Sequence, residues 1–146
     1  MYSDVNWTEA SVDEAIWDQL VALHGLVNHR LAKQIQRLHG IGLSEYQALR
    51  RLAHADDGEL RMQELAELIG LNQSSVSRLV ARLESDGLTR RDLCPNDRRG
   101  VYTVITDKGR AMQRTAEPTY RMALAEVLEE AAGDARTSEL VAKLRA

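Results

Sequence analysis

Cysteine is almost absent from this chain of 146 residues, in which Cys94 is the only one. A single thiol cannot form an intramolecular disulfide, so the sequence excludes a secreted domain held together by disulfides and favours a reducing compartment. Long apolar runs are also absent, and the first residues lack the basic and apolar regions of a signal peptide. We therefore expect a cytoplasmic protein that does not cross a membrane.

The signatures of the common enzyme classes are missing as well. The sequence contains no Gly-x-Ser-x-Gly motif, no phosphate-binding loop, no His-Glu-x-x-His motif and no cysteine–histidine signature. Its four histidines never lie four residues apart, and no acidic cluster joins them at ligand spacing; they are His24, His29, His39 and His54. We therefore predict no enzymatic activity, no metal site and no cofactor.

The charge of the chain is distributed unevenly along its length. The formal net charge is −3, which argues against a nucleic-acid partner when it is taken alone. Residues 72–110, however, carry eight Lys or Arg against five Asp or Glu, so this stretch has a net charge of +3 and the remainder −6. An acidic body with one basic segment is compatible with specific binding of nucleic acid and weak non-specific attraction.

The basic segment contains the second of two short helices that the sequence joins by a tight turn. Helices that cross steeply need a small residue at their contact, a turn residue that tolerates positive φ, and an apolar anchor beyond the turn. Ala66, Gly70 and Val76 supply these in order, and Asn72 is a good N-cap for the second helix. The sequence therefore predicts a helix-turn-helix.

The second helix has two contrasting faces. Apolar residues recur at intervals of three and four and predict a buried stripe of Val76, Leu79, Val80 and Leu83. The remaining residues are short, polar or basic, which suits a helix lying in a DNA major groove. The predicted DNA contacts are Gln73, Ser74, Ser75, Ser77, Arg78 and Arg82. The alternative is a solvated helix surface, which the adjoining turn and hairpin disfavour.

A β-hairpin is expected directly after this helix. Two strand-like segments, 88–94 and 101–106, flank a turn-rich stretch with a basic tip. We predict that Arg98 and Arg99 enter a minor groove, and that Asp97 shapes the tip by pairing with an arginine. The alternative is a turn whose charges only aid solubility. Cys94 is either a redox-active thiol or a small strand residue, and we favour the second.

These two motifs resemble those of the MarR family of bacterial winged-helix repressors. The stretch 97–109 is similar to the Asp-x-Arg wing signature of that family, which ends in Thr-x-x-Gly, and Arg99 matches its wing arginine. Further matches occur at Leu65, Ala66, Leu68, Gly70, Leu71, Ser75, Val76, Leu83, Glu84, Gly87 and Leu88. Arg61 departs from the pattern, since the family often has a Thr or Ser cap there. The resemblance implies a dimeric DNA-binding regulator, commonly responsive to small aromatic or phenolic anions.

The rest of the chain is expected to be mainly helical. The whole is predicted to be a mainly α fold with a small β-wing (α+β). Ser44 and Gln47 suggest a capping box, Thr106 suggests another cap, and Pro118 is expected to kink the helix that contains it. The expected segments are helices at 12–38, 44–55, 106–132 and around 140–144, with a short extended piece at 60–62 that pairs with the wing.

The terminal helices carry more apolar surface than a winged helix of this size needs for its own core. We therefore expect one domain, 1–146, in which helices 12–39 and 107–146 form an intertwined homodimer and 44–106 forms the DNA-binding lobe. Two-fold symmetry would then place the recognition helices roughly 34–36 Å apart on a pseudo-palindromic operator. Any effector pocket is expected at Trp17, His24, His29 and Tyr46, for which helix packing is the alternative role.

The sequence thus favours a ligand-responsive repressor that binds double-stranded DNA as a homodimer. The alternative is a winged helix used as a protein-interaction module without direct DNA readout.

Overall fold

A computed structural model of the chain describes residues 11–93 and 101–146. Helices dominate these ranges and a three-stranded antiparallel sheet accompanies them, so the expected mainly α fold with a small β-wing is confirmed. In chain order the elements are α1 Val12–His39, α2 Leu43–Ala53, β1 Glu59–Arg61, α3 Met62–Ile69, α4 Gln73–Ser85, β2 Thr89–Leu93, β3 Val101–Ile105, α5 Asp107–Ala132 and α6 Ser138–Leu144.

The chain divides into two compact units. One, called the terminal unit, comprises the described residues up to Leu31 together with Met122–Ala146. The other, called the central unit, is Ala32–Arg121 and contains the helix-turn-helix and the sheet. Of the helices that the structure describes, none is both long and apolar enough to span a membrane.

The core of the central unit is built from the apolar stripes of α2, α3 and α4. Each stripe follows the helical repeat, so burying it aligns the three helices around one interior. The largest fully buried side chains of this cluster are Ile35, Tyr46, Leu49, Leu52, Leu65, Val76, Leu79, Val80, Leu83 and Leu88. Burial of a side chain of this size contributes about 1.5–3 kcal/mol, so this cluster is the main stabiliser of the unit.

The sheet has the strand order β1-β3-β2. β3 is central and pairs antiparallel with β2 from Thr89↔Ile105 to Leu93↔Val101, which makes the expected hairpin. On its other side β3 pairs with β1, in the register Glu59↔Val104 to Arg61↔Tyr102. The expected pairing of the short extended piece with the wing is therefore confirmed.

The capping box expected at Ser44 and Gln47 is wrong. Gly42 is the N-cap of α2, in an extended conformation, and no side chain caps the helix. The carbonyl of Gly42 accepts the first helical hydrogen bond, from the N–H of Tyr46 at 3.0 Å. Glycine is well tolerated at this position, so Ser44 lies inside the first turn rather than before it.

The end of α2 also lies earlier than expected. The helix stops at Ala53, because Ala55 is extended and leads into a 3₁₀ turn, Asp56–Gly58. Gly58 has a φ of +67°, a conformation that favours glycine, and the chain then enters β1.

The start of α5 is fixed by the predicted cap. The hydroxyl of Thr106 accepts from the N–H of Gly109 at 3.1 Å and donates to the carbonyl of Gly87 at 2.7 Å. The N–H of Thr106 donates to the carbonyl of Leu88 at 3.1 Å. These bonds dock α5 on the segment that joins α4 to the wing. α5 continues through Pro118, and the kink expected there stays a prediction.

The terminal unit has a small core of its own, made of Leu23, Ala131 and Val141. The hydroxyl of Thr137 donates to the buried carbonyl of Ala131 at 2.7 Å and so holds the turn before α6. Ser11 caps the start of α1, since its hydroxyl accepts from the N–H of Glu14 at 3.1 Å, and the same hydroxyl donates to the Glu14 carboxylate at 3.2 Å.

Candidate nucleic-acid interface

The turn between α3 and α4 is built as the sequence predicts. Gly70 has a φ of +71°, and the N–H of Leu71 donates to the carbonyl of Ala66 at 3.0 Å, which closes α3. Asn72 then caps α4, because its side-chain oxygen accepts from the N–H of Ser75 at 2.9 Å. The same oxygen accepts from the hydroxyl of Ser74 at 2.9 Å. The start of the recognition helix is therefore fixed by local bonds.

α4 presents its two faces as the sequence predicts. Val76, Leu79, Val80 and Leu83 are buried at an exposure of 1 % or less. Among the predicted contact residues, the exposed ones are Gln73, Ser74, Arg78 and Arg82. Ser75 and Ser77 are partly buried, and the hydroxyl of Ser77 donates to the sulfur of Met62 at 3.5 Å. The exposed surface of α4 is therefore polar and basic, whereas Ser77 also helps to join α4 to α3.

The arginines near α4 differ in their ion pairs. Arg78 has no carboxylate within ion-pair distance among the residues that the structure describes. Arg82 places its Nε 3.7 Å from a carboxylate oxygen of Glu45 on α2. Arg91, on β2, donates from its Nε to Glu84 at 2.8 Å. Neither ion pair was predicted from the sequence.

The end of α4 leads directly into the wing. Gly87 has a φ of +74°, and the N–H of Leu88 donates to the carbonyl of Leu83 at 2.9 Å, so the predicted glycine stop is confirmed. The hairpin then runs through β2 and β3, and its tip falls in the gap between the described ranges. The predicted site residues Asp97, Arg98 and Arg99, like Cys94, lie outside the described residues.

A cleft of about 420 Å³ lies beside the recognition helix. Its lining residues come from the end of β1, the start of α3, the first residue of α4 and the wing strands, and they are Arg61, Met62, Gln63, Gln73, Arg91 and Val101. Arg61 donates from its Nε to the hydroxyl of Tyr102 at 3.1 Å, and its guanidinium lies 5.4 Å from the centre of that ring. The sequence analysis did not predict Arg61, Gln63 or Arg91 as site residues. A usable signal existed for Arg91, because Arg90 and Arg91 are consecutive arginines near the start of a wing strand.

The four residues expected at an effector pocket fall in both units. Trp17, His24 and His29 are exposed and belong to the terminal unit. Tyr46 is fully buried in the central unit, with its ring 4.9 Å from that of Tyr120. Burial raises the pKa of Tyr46 above its ordinary value. Contact of these residues with an effector stays a prediction.

A second cleft lies in the central unit and has a basic rim. It is lined by Gln47, Arg50, Arg51, Leu68, Ile69 and Tyr120. The guanidinium of Arg50 lies 5.7 Å from the centre of the Tyr120 ring, a distance typical of a cation–π contact.

Comparisons with known proteins agree with this architecture. The model of the MarR family matches residues 39–100. The crystal structure of Sco3205, a MarR family transcriptional regulator from Streptomyces coelicolor, in complex with DNA, is similar with a TM-score of 0.74 and 32 % identity over 84 % of this chain and 77 % of that one.

Two regulators from Bacillus subtilis are also similar. The HTH-type transcriptional regulator MhqR is 29 % identical over 70 % of this chain and 68 % of its own length. The uncharacterised HTH-type transcriptional regulator YdgJ is 27 % identical over 89 % of this chain and 77 % of its own length. With a capped recognition helix, a wing and these relatives, the chain belongs to the MarR family of transcriptional regulators.

Proposed function

We propose that this protein regulates transcription by binding duplex DNA as a homodimer, and that a small ligand controls the binding. The observation that carries the proposal is the exposed polar and basic face of α4 beside a wing. The chain shares 32 % identity with Sco3205, whose crystal structure was solved in complex with DNA. The same face gives no support to the protein-interaction alternative, because it offers arginine and amide groups rather than apolar anchors.

The exposed residues at the start of α4, Arg78 and the wing tip have proposed roles. Gln73 and Ser74, in the first turn of α4, reach base edges in a major groove, since amide and hydroxyl groups pair with the donors and acceptors there. Arg78 lies one turn further along and contacts guanine or phosphate. The proposal for the wing comes from the sequence alone: Arg98 and Arg99 enter a minor groove, and Asp97 shapes the tip.

The homodimer proposal is supported by apolar side chains of the terminal unit that the single chain leaves exposed. Trp17 is 62 % exposed and Val21 54 %, both on α1, and Met122 on α5 is 65 % exposed. Large apolar side chains in water are unfavourable, and a second copy of the chain would cover them. We assign the dimerisation role to 12–39 and 107–146, and the DNA-binding role to 44–106.

The ligand is proposed to be a small aromatic or phenolic molecule. Its effect on DNA affinity would come from a preference for one separation of the two DNA-binding lobes of the dimer. A ligand shifts such an equilibrium only by its difference in affinity for the two states. We propose that DNA binding usually represses transcription. We also propose that the protein has no enzymatic activity in addition to this role.

The DNA-binding proposal is tested with Arg78→Ala. Duplexes are first selected from a random pool with the wild-type protein, and affinity is then measured by fluorescence anisotropy at several salt concentrations. Loss of a guanidinium that contacts a base or phosphate should weaken binding roughly tenfold. Arg114→Ala is the matched control, since it removes the same charge from an exposed position on α5. A folded dimer that selects no duplex and shows no salt-dependent binding would support the protein-interaction module instead.

A further inference from the structure

Two arginines next to the recognition helix are already paired with carboxylates in the free protein. The Nε of Arg91 donates to Glu84 at 2.8 Å, which joins β2 to the last turn of α4. The Nε of Arg82 lies 3.7 Å from Glu45, which joins α4 to the first turn of α2. Both arginine side chains are half exposed, at 50 % and 58 %, so a second anion has access to them.

Both arginines lie on the surface that the proposed function assigns to DNA. Arg82 is on the exposed face of α4, one turn after Arg78. Arg91 lines the cleft that begins at Gln73, the first residue of α4. A DNA backbone that follows the recognition helix therefore passes within reach of each guanidinium. Arg78 differs from both, because among the described residues no carboxylate holds it.

A phosphate gains the full attraction of either arginine only when the carboxylate moves away, because a carboxylate that stays beside the guanidinium occupies its Nε and repels the phosphate. A neutralised phosphate releases about 0.9 of a condensed cation, which is the source of the salt dependence of DNA binding. A displaced carboxylate, however, takes a cation from solution and also repels the phosphate. Such a contact therefore contributes less affinity, and a smaller salt dependence, than a contact from an unpaired arginine.

We propose that Glu45 and Glu84 compete with DNA phosphate for Arg82 and Arg91, and so lower the affinity of the protein for every duplex by the same factor. This inference rests on the proposed DNA-binding function. The competition acts on backbone contacts, which carry no sequence information, so it reduces non-specific binding without changing which bases are preferred. Specificity is then carried by the remaining contacts of α4 and the wing.

The test measures the DNA affinity of Glu84→Gln and Glu45→Gln on a selected duplex and on a duplex of random sequence. Each variant should bind both duplexes roughly two- to fivefold more tightly, as expected for the loss of an exposed ion pair. The slope of log affinity against log salt should become steeper by up to about 0.9 for each substitution. Thermal unfolding in parallel checks that each variant is folded. If Glu45→Gln does not fold, Glu84→Gln alone tests the inference.

Two controls separate competition from a general change in charge. Glu139→Gln changes the net charge equally from an exposed position on α6, and at a concentration where sedimentation shows an intact dimer it should leave affinity unchanged. In an Arg91→Gln background, Glu84→Gln should have no further effect, because the arginine that it competes for is gone.

Several results would overturn the inference. Weaker binding by Glu84→Gln would mean that the ion pair stays intact on DNA and orients Arg91. An increase that persists in the Arg91→Gln background, or that Glu139→Gln reproduces, would mean a non-local effect of charge. Equal affinity of wild type and variants would overturn this inference alone, whereas a wild-type protein that binds no duplex would overturn the proposed function with it.

Discussion

Substitution of Gly109 by alanine tests how the wing is attached to the helix that follows it. Gly109 lies in the first turn of α5, against the segment that joins α4 to β2. A methyl group on Gly109 would overlap the carbonyl oxygen of Leu88 and lie only 2.8 Å from Cγ1 of Ile105. The backbone oxygen cannot rotate away as a side chain can, so either α5 or Leu88 must move.

The expected cost follows from these contacts. Overpacking of this kind costs about 1–3 kcal/mol. Displacing Leu88 also weakens the hydrogen bond that its carbonyl accepts from the N–H of Thr106, at a cost of about 1 kcal/mol. Alanine favours the helix over glycine by up to about 1 kcal/mol, which offsets part of the loss. The net loss in the free energy of unfolding is about 2 kcal/mol, or about 4–8 °C in Tm for a chain of this size.

The assay is thermal unfolding followed by circular dichroism, with all proteins at one concentration because dimerisation would make Tm concentration-dependent. Gly25→Ala is the matched control. Gly25 lies within α1, and a Cβ there would meet nothing within 4 Å, so this substitution should be neutral or stabilising by up to about 1 kcal/mol. If Gly109→Ala were as stable as wild type, the close docking of α5 against Leu88 would be incorrect.

Two further predictions concern the central unit. Asn72→Ala removes the oxygen that caps α4 and should lower the free energy of unfolding, measured in urea, by about 1 kcal/mol. Asn72→Ser keeps a capping oxygen and should retain most of the wild-type stability. Equal losses in the two variants would mean that the cap does not contribute to stability. Because burial raises the pKa of Tyr46, its contribution to stability is full below its unfolded-state pKa of about 10 and is lost as pH rises through the higher folded-state value. Tyr46→Phe should therefore reduce the loss of stability between neutral pH and pH about 11, and an identical loss in both proteins would contradict this.

Local features of the fold could be predicted from the sequence where a single residue type determines the backbone. Gly70 and Gly87 both take positive φ at helix ends, and Asn72 caps α4, as their residue types indicate. The buried stripe of α4 followed from its periodicity. The prediction of a capping box at Ser44 was wrong because Gly42 is the N-cap. Glycine is an acceptable cap but makes no side-chain hydrogen bond, so its sequence signal is weaker than that of serine.

Contacts between residues far apart in the chain could not be predicted from the sequence. Arg82 and Glu45 are brought together only by the packing of α4 against α2, and the bond of Ser77 to Met62 depends on the crossing of α4 with α3. The outward face of α4 was therefore correctly placed, whereas the partners that constrain its side chains were not. A charge pattern gives the composition of a surface, and only the tertiary fold gives its ion pairs.

The sheet makes the wing and the helix-turn-helix mechanically continuous. β3 bonds to β2 on one side and to β1 on the other, and Arg61 ends β1 immediately before α3 begins at Met62. The hairpin is therefore joined to the start of α3 by the hydrogen bonds between β3 and β1 and by the peptide bond from Arg61 to Met62, so a tilt of the hairpin would also move α3. Under the proposed function, a change of groove width at the wing would in this way reach the helix that supports the recognition helix.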